Sequence, residues 1–244
     1  MFHVEHTPAP TGAPDPRRLD REASPSPDPV SGPGRADGLE AEPAAAVIVF
    51  GDALDRVRDF ANQLALRGEE LGLIGPLELP RLWTRHIVNS GLVAPLVAPG
   101  ALVGDVGSGA GLPGLVLAIA RPDARFVLIE PMERRTDWLR SEADRLGLEN
   151  VEVVRARAED APYAERLDQV TARAVSALRT LIPSVVPLVR RGGELILMKG
   201  VRVEEERQAA AKQIAKARLT NIEILTLGDG VTPEVTRVFR AIVG

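Results

Sequence analysis

After Pro99-Gly100 the chain settles into a rhythm that few folds can accommodate. Short β-rich apolar runs near 101–106, 125–129, 151–155, 168–173 and 194–198 alternate with helical patterns, their starts 17 to 26 residues apart. Such spacing describes βα units and predicts a parallel, doubly wound sheet with helices on both faces. An Ala-rich helix over 203–218 then leads to a run at 222–227, the loop Gly228-Asp229-Gly230-Val231-Thr232-Pro233, and a final run at 235–243. Six residues cannot hold a crossover helix, so the last two strands are expected to pair antiparallel. The fold class expected is α/β: a seven-stranded, mostly parallel sheet with one reversed strand, the last. Pro183 and Pro187 predict that the helix over 177–190 is kinked or broken.

Two segments precede this domain. Val47 to Leu73 carries Leu54, Val57, Phe60, Ala61 and Leu64 at three- and four-residue spacing, and Pro80 to about Leu96 reads as a second helix bearing Arg81, Arg85, His86, Asn89 and Ser90. Together they predict a small helical region over 47–98 before a domain at 99–244. Residues 1–46 hold nine of the twenty prolines, with four Arg against eight acidic residues. That composition predicts a disordered acidic tail. It also accounts for the whole net charge of −4, so the remainder is electrically balanced and global charge does not argue against an RNA partner.

With no Cys in the chain, a disulfide scaffold, a Cys-ligated metal and a Cys nucleophile are all excluded. His3 and His6 read as solvated terminal residues, and no metal site is expected. No apolar run approaches the roughly 20 residues of a membrane span, and the N-terminus lacks the order of a secretory signal. The expected location is the cytoplasm, without a membrane partner.

The chemistry concentrates between the first run and its helix, in Asp105-Val106-Gly107-Ser108-Gly109-Ala110-Gly111-Leu112-Pro113-Gly114. That density of glycine suggests a backbone that turns tightly and lets a ligand approach at a strand's carboxyl end and a helix's positive N-terminus. The string contains both GxGxG (Gly107, Gly109, Gly111) and GxGxxG (Gly109, Gly111, Gly114), so the glycines alone suit either a dinucleotide or S-adenosylmethionine. Glu130, after the second strand, is placed to accept hydrogen bonds from ribose hydroxyls in both cases. Asp105 inside the strand end and the reversed last strand both favour S-adenosylmethionine. Glu159 and Arg173, after the third and fourth strands, are expected beside the loop, with Lys199 on the same rim. Arg81, Arg85, Arg134, Arg135, Arg190, Arg191 and Arg202 permit an RNA-binding face.

The strings DVGSGAGLPGLVLAI, LIEPMERRTDWL, VVRARAED, TARAVSAL and GGELILMKG, in this order and spacing and preceded by RHIVNS, resemble the RsmG (GidB) family of 16S ribosomal RNA guanine-N7 methyltransferases over about residues 48–244. The resemblance implies a class I S-adenosylmethionine-dependent methyltransferase fold and methyl transfer to N7 of one guanine in small-subunit RNA, carried by the 30S particle. By that resemblance, cofactor contacts fall on Gly107, Leu112, Ala158, Glu159 and Arg173, and Lys199 matches a lysine near the substrate side. Asn89 stands where the family's RHIxDS segment has Asp, and the family's Trp-Asn and Asn-Leu-Thr signatures are not evident around 66–74. Guanine N7 has a lone pair and no proton, so the reaction needs alignment rather than a general base. Arg173 and Lys199 are then candidates for positioning, not proton transfer. The competing readings are a class I methyltransferase acting on protein or a small molecule, an NAD-dependent oxidoreductase, and a non-enzymatic ribosome-assembly factor.

Overall fold

The computed structural model describes residues 38–75 and 77–244. Strands β1 (Leu102–Val106), β2 (Arg125–Ile129), β3 (Val151–Val154), β4 (Leu167–Arg173), β5 (Val189–Lys199), β6 (Thr220–Leu227) and β7 (Thr236–Ile242) form one sheet in the order β3-β2-β1-β4-β5-β7-β6. The first five are parallel. β7 runs antiparallel to both β5 and β6, so the single reversed strand is the last, as the six-residue loop before it requires.

Side chains alternate between the faces of a strand, and both faces here are covered, which is why the strands read as near-continuous apolar runs. Phe126 and Leu128 of β2, with Ile196 and Met198 of β5, enter one core; Val127 and Ile129, with Leu195 and Leu197, enter the other. The first core is completed by α1 (Ala44–Phe50), α2 (Leu54–Arg67), a π-helix (Leu82–Val88) that closes in the single turn α3 (Asn89–Gly91), α4 (Gly114–Ala120) and α5 (Glu133–Arg145). The second is covered by α6 (Leu178–Val185), α7 (Val203–Ala209) and α8 (Ala211–Lys216). The helical region therefore shares a core with the sheet: Phe60, Leu64 and Ile87 are buried in the same cluster as Leu115 and Phe126.

Local differences from the expected elements have local causes. The helix expected from Val47 to Leu73 begins at Ala44 and is interrupted at Gly51, whose φ of +47° lies outside the helical region. It then ends at Gly68. The helix expected over Pro80 to Leu96 is π-helical in its first half, a winding frequent at functional sites. Pro183 is carried inside α6, and the chain tightens to a 3₁₀ turn at Val186–Leu188, where Pro187 ends the α-helix. The helix over 203–218 breaks at Ala210 into α7 and α8. α5 closes as expected at Gly147: its N–H donates to the Asp144 carbonyl, while that of Leu148 donates to Ala143.

The tail expected over residues 1–46 needs a correction at its C-terminal end. Its first 37 residues lie outside the described residues, but residues 38–46 are packed. Leu39, Ala45 and Ala46 are buried in the first core. The Glu40 N–H donates to the Leu79 carbonyl (2.9 Å), and the Glu40 carboxylate accepts from the Thr84 N–H (2.9 Å) in the first turn of the π-helix. Arg58 holds Glu42 through both carboxylate oxygens (2.6 and 2.7 Å). Composition averaged over 46 residues hid a short ordered strap, because its few anchors are diluted by the Pro-rich sequence before it.

Among the described residues, no helix is long and apolar enough to cross a membrane and no group of three or more His, Asp or Glu is arranged to hold a metal ion.

Candidate functional site

The β1–α4 loop is built by its glycines. Gly107, Gly109 and Gly111 have φ of +73°, +54° and +93°, all in the left-handed region that a side chain resists. A Cβ at Gly107 would meet Val175 at 2.7 Å, and one at Gly111 would meet the buried Leu115 at 2.5 Å. The loop is tied down from three directions. The Gly107 N–H donates to the Ile129 carbonyl (2.8 Å), the Gly109 N–H donates to Glu130 Oε2 (3.0 Å), and Trp138 Nε1 donates to the Ala110 carbonyl (3.1 Å).

Two cavities open along the carboxyl ends of the strands. The first, about 370 Å³, is lined among others by Gly107, Glu130, Ala158, Glu159, Val175 and Ser176. Glu130 is 2 % exposed, and its two oxygens accept from Gly109 and from the Met132 N–H (3.0 Å). Each carboxylate oxygen retains a lone pair for a ligand hydroxyl. Asp105 lies beneath the loop, fully buried. Its Oδ2 accepts from the Gly114 N–H (3.1 Å) at the start of α4, while Oδ1 has no partner. Burial pushes the Asp105 carboxyl up to about 7, against the hydrogen bond from Gly114. A glycine-walled approach, an acid at the end of β2 and a buried acid under the loop with one unpartnered oxygen fit S-adenosylmethionine: Glu130 would hold ribose hydroxyls and Gly107 would admit the ligand against the backbone.

The second cavity, about 520 Å³, is lined by Arg85, His86, Asn89, Arg173, Lys199 and Arg237, with Glu78 and Glu234 adding acidic groups. Ala174 lines both cavities, so the 173–176 segment forms their common wall. Ala174 takes a φ of +55°, a strained value for a residue with a Cβ and one that recurs where backbone is shaped for function.

Of the residues read from the sequence, Gly107, Glu130, Ala158 and Glu159 meet in the first cavity and Arg173 and Lys199 in the second. Gly109 and Gly111 shape the loop without lining either cavity, Leu112 is buried in the core, and Asp105 works from below. Arg173, expected among the cofactor contacts, turns its guanidinium away from the first cavity: Nη1 donates to the carbonyls of Arg85 (3.4 Å) and His86 (3.3 Å) and to Ser90 Oγ (3.5 Å), and Nη2 to His86 Nδ1. Burial and the nearby Arg85 lower its pKa to about 10, so it stays a cation. Lys199 is similarly committed. Its Nζ donates to the Ser176 carbonyl (2.7 Å) and pairs with Glu206 (2.7 Å), whose Oε2 also accepts from the Leu178 N–H (3.0 Å) at the start of α6. Lys199 thereby pins the common wall.

Glu78 and Arg237 were not singled out from the sequence, and His86 and Asn89 only as members of a helix and of the RHIVNS segment. The available signal was polar spacing in RHIVNS, where Arg85 and Asn89 fall four residues apart. Arg134 and Arg135, read as permitting an RNA face, lie outside the second cavity: Arg135 lines the first, 3.9 Å from Glu130, and Arg134 packs against Gly72.

A family model described as "GidB: rRNA small subunit methyltransferase G" matches residues 53–234. A protein of Leifsonia xyli subsp. xyli named "Ribosomal RNA small subunit methyltransferase G" is 63% identical over 207 residues, covering 85% of this chain and 99% of its own length. One of the same name from Pseudarthrobacter chlorophenolicus is 50% identical over 207 residues, covering 85% and 96%. Solved structures share the fold at low identity. A SAM-dependent methyltransferase from Aquifex aeolicus superposes with a TM-score of 0.53 at 16% identity over 72% of this chain and 98% of that one. A predicted O-methyltransferase from Agrobacterium tumefaciens gives 0.52 at 21% identity over 64% and 80%. The sheet order β3-β2-β1-β4-β5-β7-β6 is thus that of a class I methyltransferase, and the chain belongs to the GidB family, rRNA small subunit methyltransferase G.

Proposed function

We propose that this protein transfers a methyl group from S-adenosylmethionine to N7 of a guanine in 16S ribosomal RNA, acting in the cytoplasm on the 30S particle. The observation that carries the reading is the pair of adjoining cavities across one wall, residues 173–176: the first has an acid-and-glycine lining suited to the cofactor, the second has the cationic rim of a polyanion site. When bound, the cofactor's sulfonium supplies an electrophilic methyl carbon. The protein's part is alignment and exclusion of water, because the N7 lone pair needs no base. Glu130 orients the ribose side and Gly107 lets the cofactor lie against the loop. Arg173 and Lys199 keep the wall rigid from opposite ends. Arg85 and Arg237, on the open side of the second cavity, contact phosphates.

Mapping N7-methylguanine in 30S RNA after reaction with the purified enzyme and labelled S-adenosylmethionine tests the reading. Label in protein or in no product would overturn it. The phosphate role predicts a salt signature. Each neutralised phosphate contributes about 0.7–0.9 to the slope of log affinity against log salt, so combined Arg85→Glu and Arg237→Glu replacements should flatten that slope by about 1.4–1.8. An unchanged slope excludes this rim from the RNA face.

The same geometry predicts a pH effect on the free protein. Asp105 is held near pKa 7 when folded, above the roughly 3.9 of an unfolded Asp. Between those values the folded state binds the extra proton, so this group's contribution to stability falls as pH rises from about 4 to 7 and is flat outside that window. Asp105→Asn should remove this dependence. The difference between wild-type and variant unfolding free energies, measured by urea titration from pH 4 to 8, is expected to change across the window; a constant difference would mean that Asp105 is ionised throughout.

A further inference from the structure

We propose that Glu78 and His86 act as a positioning pair that fixes the Arg173 guanidinium at the wall of the substrate cleft, a role that rests on the reading of that cleft as the guanine site. A guanidinium has five donors and no acceptor, so a rigid setting needs acceptors placed around it. Three are a carbonyl of Arg85, a carbonyl of His86 and the hydroxyl of Ser90, all on one short stretch of the π-helix and α3. The fourth is His86 Nδ1. It is the only one of the four that can cease to be an acceptor.

The bond from Arg173 fixes the tautomer. Nδ1 must offer its lone pair, so the ring proton sits on Nε2, which donates to Glu78 Oε2 at 2.6 Å. Glu78 is itself gripped by Arg81 through both oxygens (3.1 and 2.7 Å), with Arg85 Nε at 3.9 Å. A chain of charge-assisted contacts therefore runs Arg81–Glu78–His86–Arg173 from the surface to the end of β4. Burial, reinforced by the Arg173 charge, pushes the His86 imidazole down to about 4 against the pull of Glu78, so the ring is neutral near neutral pH. Burial raises the Glu78 carboxyl, but the hydrogen bonds from Arg81 and His86 outweigh it and hold the group at about 2. Glu78 is thus a permanent anion that orients a neutral ring, and the ring orients Arg173. The π-helix presents Arg85 and His86, and the turn of α3 that follows presents Asn89, along the same cleft.

The chain has only three histidines, so the His86 ring signals can be assigned by a single variant. Nitrogen NMR of protein labelled on histidine should find His86, identified by the signal missing in His86→Gln, as the neutral Nε2–H form at pH 7. Methyl transfer to 30S particles by wild type, His86→Phe, His86→Gln and Glu78→Gln is then compared with S-adenosylhomocysteine titrations. His86→Phe loses both hydrogen bonds and should lower kcat about 10- to 100-fold, the cost of small misplacements, with cofactor affinity unchanged. His86→Gln keeps one acceptor and one donor and should recover most of that loss. Glu78→Gln removes the anion that anchors the Nε2–H and should lower kcat by a smaller factor. An Nδ1-protonated His86 in the wild type, an unchanged kcat in His86→Phe, or equal losses in His86→Phe and His86→Gln would each overturn the proposal. Should His86→Phe fail to fold, the wild-type tautomer and the kcat of Glu78→Gln decide it: an unchanged kcat overturns it. A wild-type enzyme that places no methyl on guanine N7 refutes the substrate reading instead, and the tautomer measurement distinguishes the two failures.

Discussion

Gly107→Val should fold and yet bind no S-adenosylhomocysteine in a calorimetric titration. Gly107 sits at φ +73°, where a residue with a Cβ loses about 1–2 kcal/mol and a β-branched one is least tolerated. Its Cβ would come within 2.7 Å of Val175 Cγ2. Val175 is 44 % exposed and can rotate away, so the core is spared. The valine methyls nonetheless stand between two residues that line the first cavity and narrow it where a ligand would approach the backbone. Gly109→Ala makes the informative comparison. Its nearest new neighbour is the Gly107 carbonyl oxygen at 3.7 Å, so it bears the dihedral cost alone and should weaken binding without abolishing it. Normal binding by a folded Gly107→Val protein would mean that the cofactor does not occupy this cavity.

The second large effect concerns where the chain can be cut. A protein beginning at Gly38 is expected to melt where the full chain does and to keep its rate on 30S particles. The Leifsonia relative, 99% of whose length is aligned here, spans only 85% of this chain. A protein beginning at Ala45 is a different molecule. It loses Leu39 from the core, both Glu40 hydrogen bonds and the Glu42–Arg58 pair. Burying a leucine is worth about 1.5–3 kcal/mol and a hydrogen bond to a charged group about 1.5–3. The loss of roughly 3 kcal/mol or more should lower the melting temperature by about 10 °C. Because Glu40 holds the first turn of the π-helix at Thr84, methyl transfer should fall further than cofactor binding does. Calorimetry and single-turnover rates on the two truncations check this. Equal melting temperatures would show that the strap contributes nothing.

Much of the fold was legible because its signals are local. Each parallel strand is buried on both faces and so reads as an apolar run, and a loop of six residues between the last two runs leaves only an antiparallel return. The glycine string was legible for the same reason: Gly107, Gly109 and Gly111 all occupy backbone conformations that other residues avoid, a property of the loop itself. Family resemblance and sheet topology then agree on the order of strands and on a cofactor loop after β1.

Tertiary structure decided what those residues do. Nothing local says that Arg173 is held by His86, because the two are 87 residues apart and meet only when the π-helix is laid across the end of β4. Lys199 reads as a rim cation in sequence, yet its ammonium is committed to Ser176 and Glu206, so its work is to hold the wall. Glu40 lies in a segment whose composition is that of a disordered chain, and only the geometry of Leu79 and Thr84 recruits it. The sequence by itself determined the sheet, the loop and the family, because backbone conformation and strand burial depend on neighbours a few residues away. The pairing of charges could not be determined that way: a cation's partner is whichever acceptor the folded chain brings within about 3 Å, and that distance is set by packing across the whole domain.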